Sequence, residues 1–197
     1  MREGAVYLLR HRQLRLLAVL TGVANLSINA GLATLVLFAT DNDGLAMSEA
    51  QFGLLLAAMS VGGLLAGFTA PHLLAAAGTR AVFVGGMLAE CAAWLVIVYV
   101  ANAIVSAVAL AVIGATVAAK SVVIMASRQR QVPSEMLGRV ISAYRLIGNG
   151  TAPLGALLGG VVGAAWGLQT PMILAAAVLP LAAVLAIPAL RDSQPTE

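Results

Sequence analysis

Charge is the scarcest commodity in this sequence. Asp, Glu, Lys and Arg make up 10% of its 197 residues, where soluble globular domains carry about 25%. A soluble fold of that length cannot cover its surface with so little. Cysteine is scarcer still. Cys91 stands alone, which rules out an internal disulfide, and with only His11 and His72 beside it there is no Cys/His set for a metal. Aromatic residues amount to 5% and do not interleave with basic ones, so no nucleic-acid surface and no nucleic-acid partner are expected. Both His lie at polar edges, and no Ser/His or Asp/Asp pair shares a depth in an apolar run. The chain is therefore read as a non-enzyme with no metal and no cofactor.

What the sequence does have is long apolar runs. It is 61% hydrophobic, with a mean hydropathy of +0.98, and several stretches exceed the roughly 18 residues that mark a membrane span. The first run, from about Leu16 to Thr40, is too long for the core of a cleavable signal and fits a retained span. Two stretches must be divided. From Ala81 to Ala119 only Glu90 is charged, and Tyr99-Val100-Ala101-Asn102 supplies a turn; from Leu146 to Leu190 there is no charge, and Trp166-Gly167-Leu168-Gln169-Thr170-Pro171 supplies the break. The expected spans are about 15–40, 48–71, 80–100, 103–127, 139–164 and 169–190, preceded by a basic amphipathic segment over 1–14 and followed by a tail over 191–197.

Arginine fixes the orientation. An even six crossings place Arg2, Arg10, Arg12, Arg15, Arg80, Arg128, Arg130, Arg139, Arg145 and Arg191 on one side, and Asp41, Asp43 and Glu49 on the other. Cytoplasmic segments carry the Lys/Arg excess, so both termini are expected in the cytoplasm of a multi-pass protein of the cell membrane. The stretch 128–139 then reads as a cytoplasmic loop in which Arg128, Arg130, Glu135, Arg139 and Arg145 anchor or gate the helix ends, with Glu135 placed to pair with Arg139 or Arg145. The segment 1–14 is expected to lie along the inner leaflet.

Inside the spans, Thr21, Asn25 and Asn29 recur at i, i+4 and i+8 and form one stripe. Amides in hydrocarbon are costly, so the stripe faces either a cavity or an interhelical seam. Glu90 lies about 15 Å into its span by helical rise, and its role is either structural or proton-coupling. Lys120 shares a face with Thr116, and three roles are open to it: snorkelling to the headgroups, pairing with Glu90, or attracting substrate. Asn149 joins the cavity candidates. Glycine is concentrated in the second and fifth spans, where Gly63-Gly67, Gly155-Gly159 and Gly159-Gly163 keep small-xxx-small spacing, and Gly160 and Pro153 add packing and hinge candidates. Two readings are open: generic helix packing, which glycine serves in any multi-pass protein, or, with the glycine-rich member in the middle of each group of three, two inverted three-helix repeats, a pattern of secondary transporters.

The segment RQRQVPSEMLGRVISAYRLIGNGTAPLGALLGG carries a resemblance. Arg128, Arg130, Val132-Pro133, Glu135, Gly138-Arg139-Val140, Tyr144-Arg145, Pro153-Leu154-Gly155 and Gly159-Gly160 are similar to the region between spans ten and eleven of major facilitator superfamily transporters. The match looks most like the branch of transmembrane secretion effectors that holds macrolide and enterobactin-type exporters, and the opening MREGAVYLLRHRQLR resembles that branch's approach to span seven. The resemblance implies an all-α membrane protein, the C-terminal six-helix half of such a transporter, exporting small amphipathic compounds by alternating access. It implies that the first span lines the central cavity, and that a second six-helix half, a further copy or a separately encoded one, completes the path. The other expectation is a truncated or partner-dependent subunit without transport of its own. One departure is visible: the loop between the second and third spans offers only His72 and Arg80 where the family places several basic residues.

Overall fold

The computed structural model describes residues 2–191, apart from the side chains at 2, 130, 147, 149, 188, 189 and 191. The expected tail beyond Arg191 lies outside the described residues. The described chain is helical from end to end: α1 (Arg2–Arg10), α2 (Arg12–Thr40), α3 (Glu49–Val100), α4 (Ala103–Gln131), α5 (Ser134–Trp166) and α6 (Thr170–Arg191). Five of these, α2 to α6, are long and apolar enough to cross a membrane.

The spans expected at 48–71 and 80–100 follow one another within α3, whose 52 residues are two helices meeting at a kink at Gly78, where a φ of 78° and a ψ of 160° lie outside helical space. Only glycine takes that conformation without strain. Two buried clusters show what the break does. Leu55 lies in one cluster and Ala70 in the other; after Gly78, Val82 and Phe83 rejoin the second, and Trp94, Ile97 and Val98 return to the first. The chain reverses there.

The other helices run between the same clusters. α2 leads from Leu14 and Leu17 to Leu35 and Phe38, α4 from Leu110 and Ile113 to Val123 and Ile124, and α6 from Met172 and Ala175 to Ala186 and Leu190. α5 starts beside Val140 and Tyr144 in the basic-end cluster and then follows α2 along its length. α3 packs most extensively on α4 and α2 on α5, while α6 lies against both α2 and α3.

Local signals set the ends. Ser48 and Gln51 form a capping box at the start of α3, and the Asn102 side chain accepts from the backbone N–H groups of Ile104 and Val105 to cap α4. Ala101 is left-handed with φ 45°, and Gly167 with φ 96° ends α5.

The stretch 128–139 is not a loop. α4 runs through Arg128 to Gln131 and α5 begins at Ser134, leaving only Val132 and Pro133 between them. Arg and Gln are good helix formers, so the helix continues past the apolar run, and proline pushes the preceding residue into extended backbone. Val132 is extended accordingly. The segment 1–14 is also more built than expected. α1 docks on the bundle through buried Leu8, through Gly4 against the backbone at Arg139 and Val140, and through the Tyr7 hydroxyl, which donates to the Gln131 carbonyl at 3.0 Å.

Candidate functional site

The polar stripe on α2 faces α5. The Thr21 hydroxyl donates to the Leu17 carbonyl at 2.7 Å and contacts the Tyr144 hydroxyl, which itself reaches the Leu17 carbonyl at 3.0 Å. Asn25 Nδ2 donates to the Gly148 carbonyl at 3.1 Å. Asn29 turns back on its own helix, donating to the Asn25 carbonyl at 2.7 Å. Thr21 and Asn25 thus make the interhelical seam. They also line a cavity of about 40 Å³ with Glu90, Lys120 and Ser121, the rest of its wall being apolar side chains such as Ile28, Phe83 and Met87. Seam and cavity were alternatives at the sequence level, and the geometry gives both to the same two residues. Asn149 lies outside the described side chains.

Across that cavity, the Lys120 ammonium pairs with Glu90 Oε2. Glu90 is 0% exposed and Lys120 6%, so the pair belongs to the interior and Lys120 does not extend to the headgroups. Thr116 Oγ1 stands 3.5 Å from the same oxygen and donates to the Ile113 carbonyl at 2.9 Å. Gly86 faces the Lys120 stem, where a Cβ would be in ordinary contact with the Lys120 Cγ at 3.6 Å. Glu90 Oε1 is buried with no hydrogen-bond partner among the described residues. Behind the pair, Thr116 and Gly86 also line a groove of about 330 Å³ whose remaining walls are mostly alanine, among them Ala66, Ala89 and Ala115. The ion pair therefore stands between a small polar cavity and a larger apolar groove.

Forty cubic ångströms hold water but not an organic compound, since ligand pockets run from about 300 to 1,000 Å³. Among the described residues no group of His, Cys, Asp and Glu is placed to hold a metal. The arrangement can hold charge and water; nothing in it resembles a nucleophile with its base.

At the basic end, Arg139 pairs with Glu3 of α1. The expected pairing of Glu135 with Arg139 or Arg145 is not formed, and Arg139 takes the Glu3 carboxylate of α1 instead. Only two ion pairs occur among the described residues, Lys120–Glu90 and Arg139–Glu3. Arg128 stacks on Tyr144, with Cζ 3.6 Å from the ring centroid. Arg130 lies outside the described side chains. Tyr144 ties α2, α4 and α5 together, a function the sequence reading missed; its one signal was its place in the Tyr-Arg pair of the motif.

The glycines divide sharply. A Cβ at Gly155 or Gly159 would overlap the Leu26 or Ala30 carbonyl, and one at Gly163 would stand 2.7 Å from Thr34 Cγ2. In α3 the close contact belongs to Gly62, against the Ala111 carbonyl, and it is answered by Gly114 of α4 against the Met59 carbonyl. Gly63, expected to pack, is only in ordinary contact with Gly114, and Gly67 and Gly160 face open space. One residue of offset turns a helix by about 100°, which suffices to take a glycine off the interface. Pro153 sits inside α5 without ending it.

No curated protein matches the chain. The profile of the Major Facilitator Superfamily matches residues 16–197, a range that takes in α2 from Leu16 onward, α3 to α6 and every polar group of the cavity. With a helical bundle of membrane-crossing length and ionic and amide groups held at its centre, that match leads to one conclusion: the chain belongs to the major facilitator superfamily, as an integral membrane protein.

Proposed function

We propose that these helices form one six-crossing body of a secondary transporter, working against a second such body to export a small amphipathic compound by alternating access. Membrane transport of the major facilitator type follows from the family. The observation that carries the rest is the size of the polar cavity. At about 40 Å³ it is too small for cargo, and the roomier groove of about 330 Å³ is lined by neither the ion pair nor the α2 amides, so a substrate path over those polar groups needs a second wall. The outward surface of α5 suits that wall: Leu146, Leu154, Leu157, Leu158 and Val161 are all exposed. The second body is a further copy or a separately encoded half, and the exporter branch with macrolide and enterobactin-type substrates is the reading the motif in residues 128–160 favours.

Two inverted three-helix repeats complete the proposal. Their support is reciprocal packing. The middle helix of the second group, α5, sets its glycines on α2, the first helix of the first group. The first limb of α3, the middle of the first group, sets Gly62 on α4, the first of the second. A two-fold axis in the membrane plane would generate that exchange.

Transport is tested by accumulation of lipophilic fluorescent compounds in cells that express the chain with and without a second six-helix half. Lower accumulation with both is expected; equal accumulation across a broad panel would count against export. Orientation is tested by membrane-impermeant thiol labelling in a Cys91→Ser background. Asn42→Cys, between α2 and α3, should label in intact cells, and Ser134→Cys, at the start of α5, only after permeabilisation. Labelling of both from outside would remove the cytoplasmic placement of the arginines.

A further inference from the structure

Arg128 is the one arginine or lysine side chain that is held in place by an aromatic ring and has no carboxylate to answer it among the described residues. It lies on the last full turn of α4, half-buried, its guanidinium over the Tyr144 ring. Its Nε is buried and has no hydrogen-bond partner. Tyr144 is itself held still: it is buried, and its hydroxyl is fixed by Leu17 and Thr21. Thr21 then lines the polar cavity with Asn25 and Lys120. A stacked guanidinium of this kind has lost its freedom of orientation and kept its terminal Nη donors, an arrangement that receives a planar oxyanion in two parallel hydrogen bonds. The neighbouring charge agrees. Arg145 is exposed beside it without an ion pair, and Glu3, at this end of the bundle, is taken by Arg139.

We propose that Arg128, pinned by Tyr144, is an oxyanion seat at the inner mouth of the polar face, where it takes the carboxylate or phosphate group of an amphipathic anion. Two sources share that chemistry: a soluble organic anion that is cargo, and the headgroup of an anionic lipid. The assignment to cargo rests on the transporter reading; the seat itself does not, because it is read by binding.

The test uses the full chain in nanodiscs. In phosphatidylcholine discs, 2-naphthoate should bind at least about tenfold tighter than the neutral 2-naphthamide, as expected for a charge-assisted hydrogen bond. Arg128→Gln should abolish the preference and Arg128→Lys retain part of it. Arg80→Gln, removing another charge at the same end, should leave it unchanged. In the second arm, phosphatidylglycerol discs should raise the unfolding midpoint over phosphatidylcholine discs if the headgroup is the occupant, again lost in Arg128→Gln and kept in Arg80→Gln. A preference in the first arm supports the seat and assigns it to cargo, and one in the second alone supports the seat and assigns it to lipid. The proposal is overturned if neither arm favours the anion, if the preference survives Arg128→Gln, or if Arg80→Gln removes it equally. Binding without transport would sink the transporter reading and leave the seat standing.

Discussion

Replacing Lys120 with Met should destabilise the bundle by about 3–5 kcal/mol, the cost of stripping the partner from a buried charge. The Glu90 carboxylate that remains is fully buried. Its Oε2 would keep only the Thr116 hydroxyl at 3.5 Å, and its Oε1 has no partner to begin with. Glu90→Gln should cost less, because the amide that replaces the carboxylate carries no charge, and Lys120 lies on a long stem near the basic end and can lead its ammonium toward the headgroups. The double variant Glu90→Gln/Lys120→Met should recover much of the loss, since it leaves no buried charge without a partner. Reversible unfolding by SDS in mixed micelles, run as a double-mutant cycle, measures all three. Additive losses would mean that the two side chains do not act as a pair.

The second large effect is expected in the contact of α5 with α2. Gly155→Ala and Gly159→Ala each put a methyl group where a backbone carbonyl of α2 stands, at Leu26 and at Ala30. A carbonyl inside a helix cannot swing aside as a side chain does, so the helices must separate, and overpacking of this kind costs about 1–3 kcal/mol. The two changes share one cause. Once the first has moved α5 outward, the second should cost less than it does alone. Gly160→Ala is the matched control. It lies beside Gly159 but faces open space, and alanine is the better helix former by up to about 1 kcal/mol, so it should be neutral or slightly stabilising. The same unfolding measurement applies, and a loss at Gly160 as large as at Gly159 would remove the assignment of the interface.

Much of this was legible along the chain. The apolar runs required membrane-crossing helices, the Tyr99–Asn102 and Trp166–Pro171 stretches are where α3 and α5 end, and the four-residue rhythm of Thr21 and Asn25 put both on one face. Other features misled. The arginines of 128–139 read as a loop, because low hydropathy marks where the apolar run ends and not where the helix does. The basic segment 1–14 read as a surface helix, yet Leu8 and Gly4 hold α1 against the bundle.

Composition and periodicity alone determined that this chain belongs in lipid, that its basic residues gather toward one end, and that its amides share a helix face. Those are properties of single segments, and burying backbone and charge in hydrocarbon is costly enough to settle them segment by segment. Only the tertiary structure decided that Lys120 meets Glu90, that Arg128 lies on Tyr144, and that Gly62 and not Gly67 touches α4. Each of those depends on the rotation of one helix against another, and that angle is set by how two complete surfaces fit together.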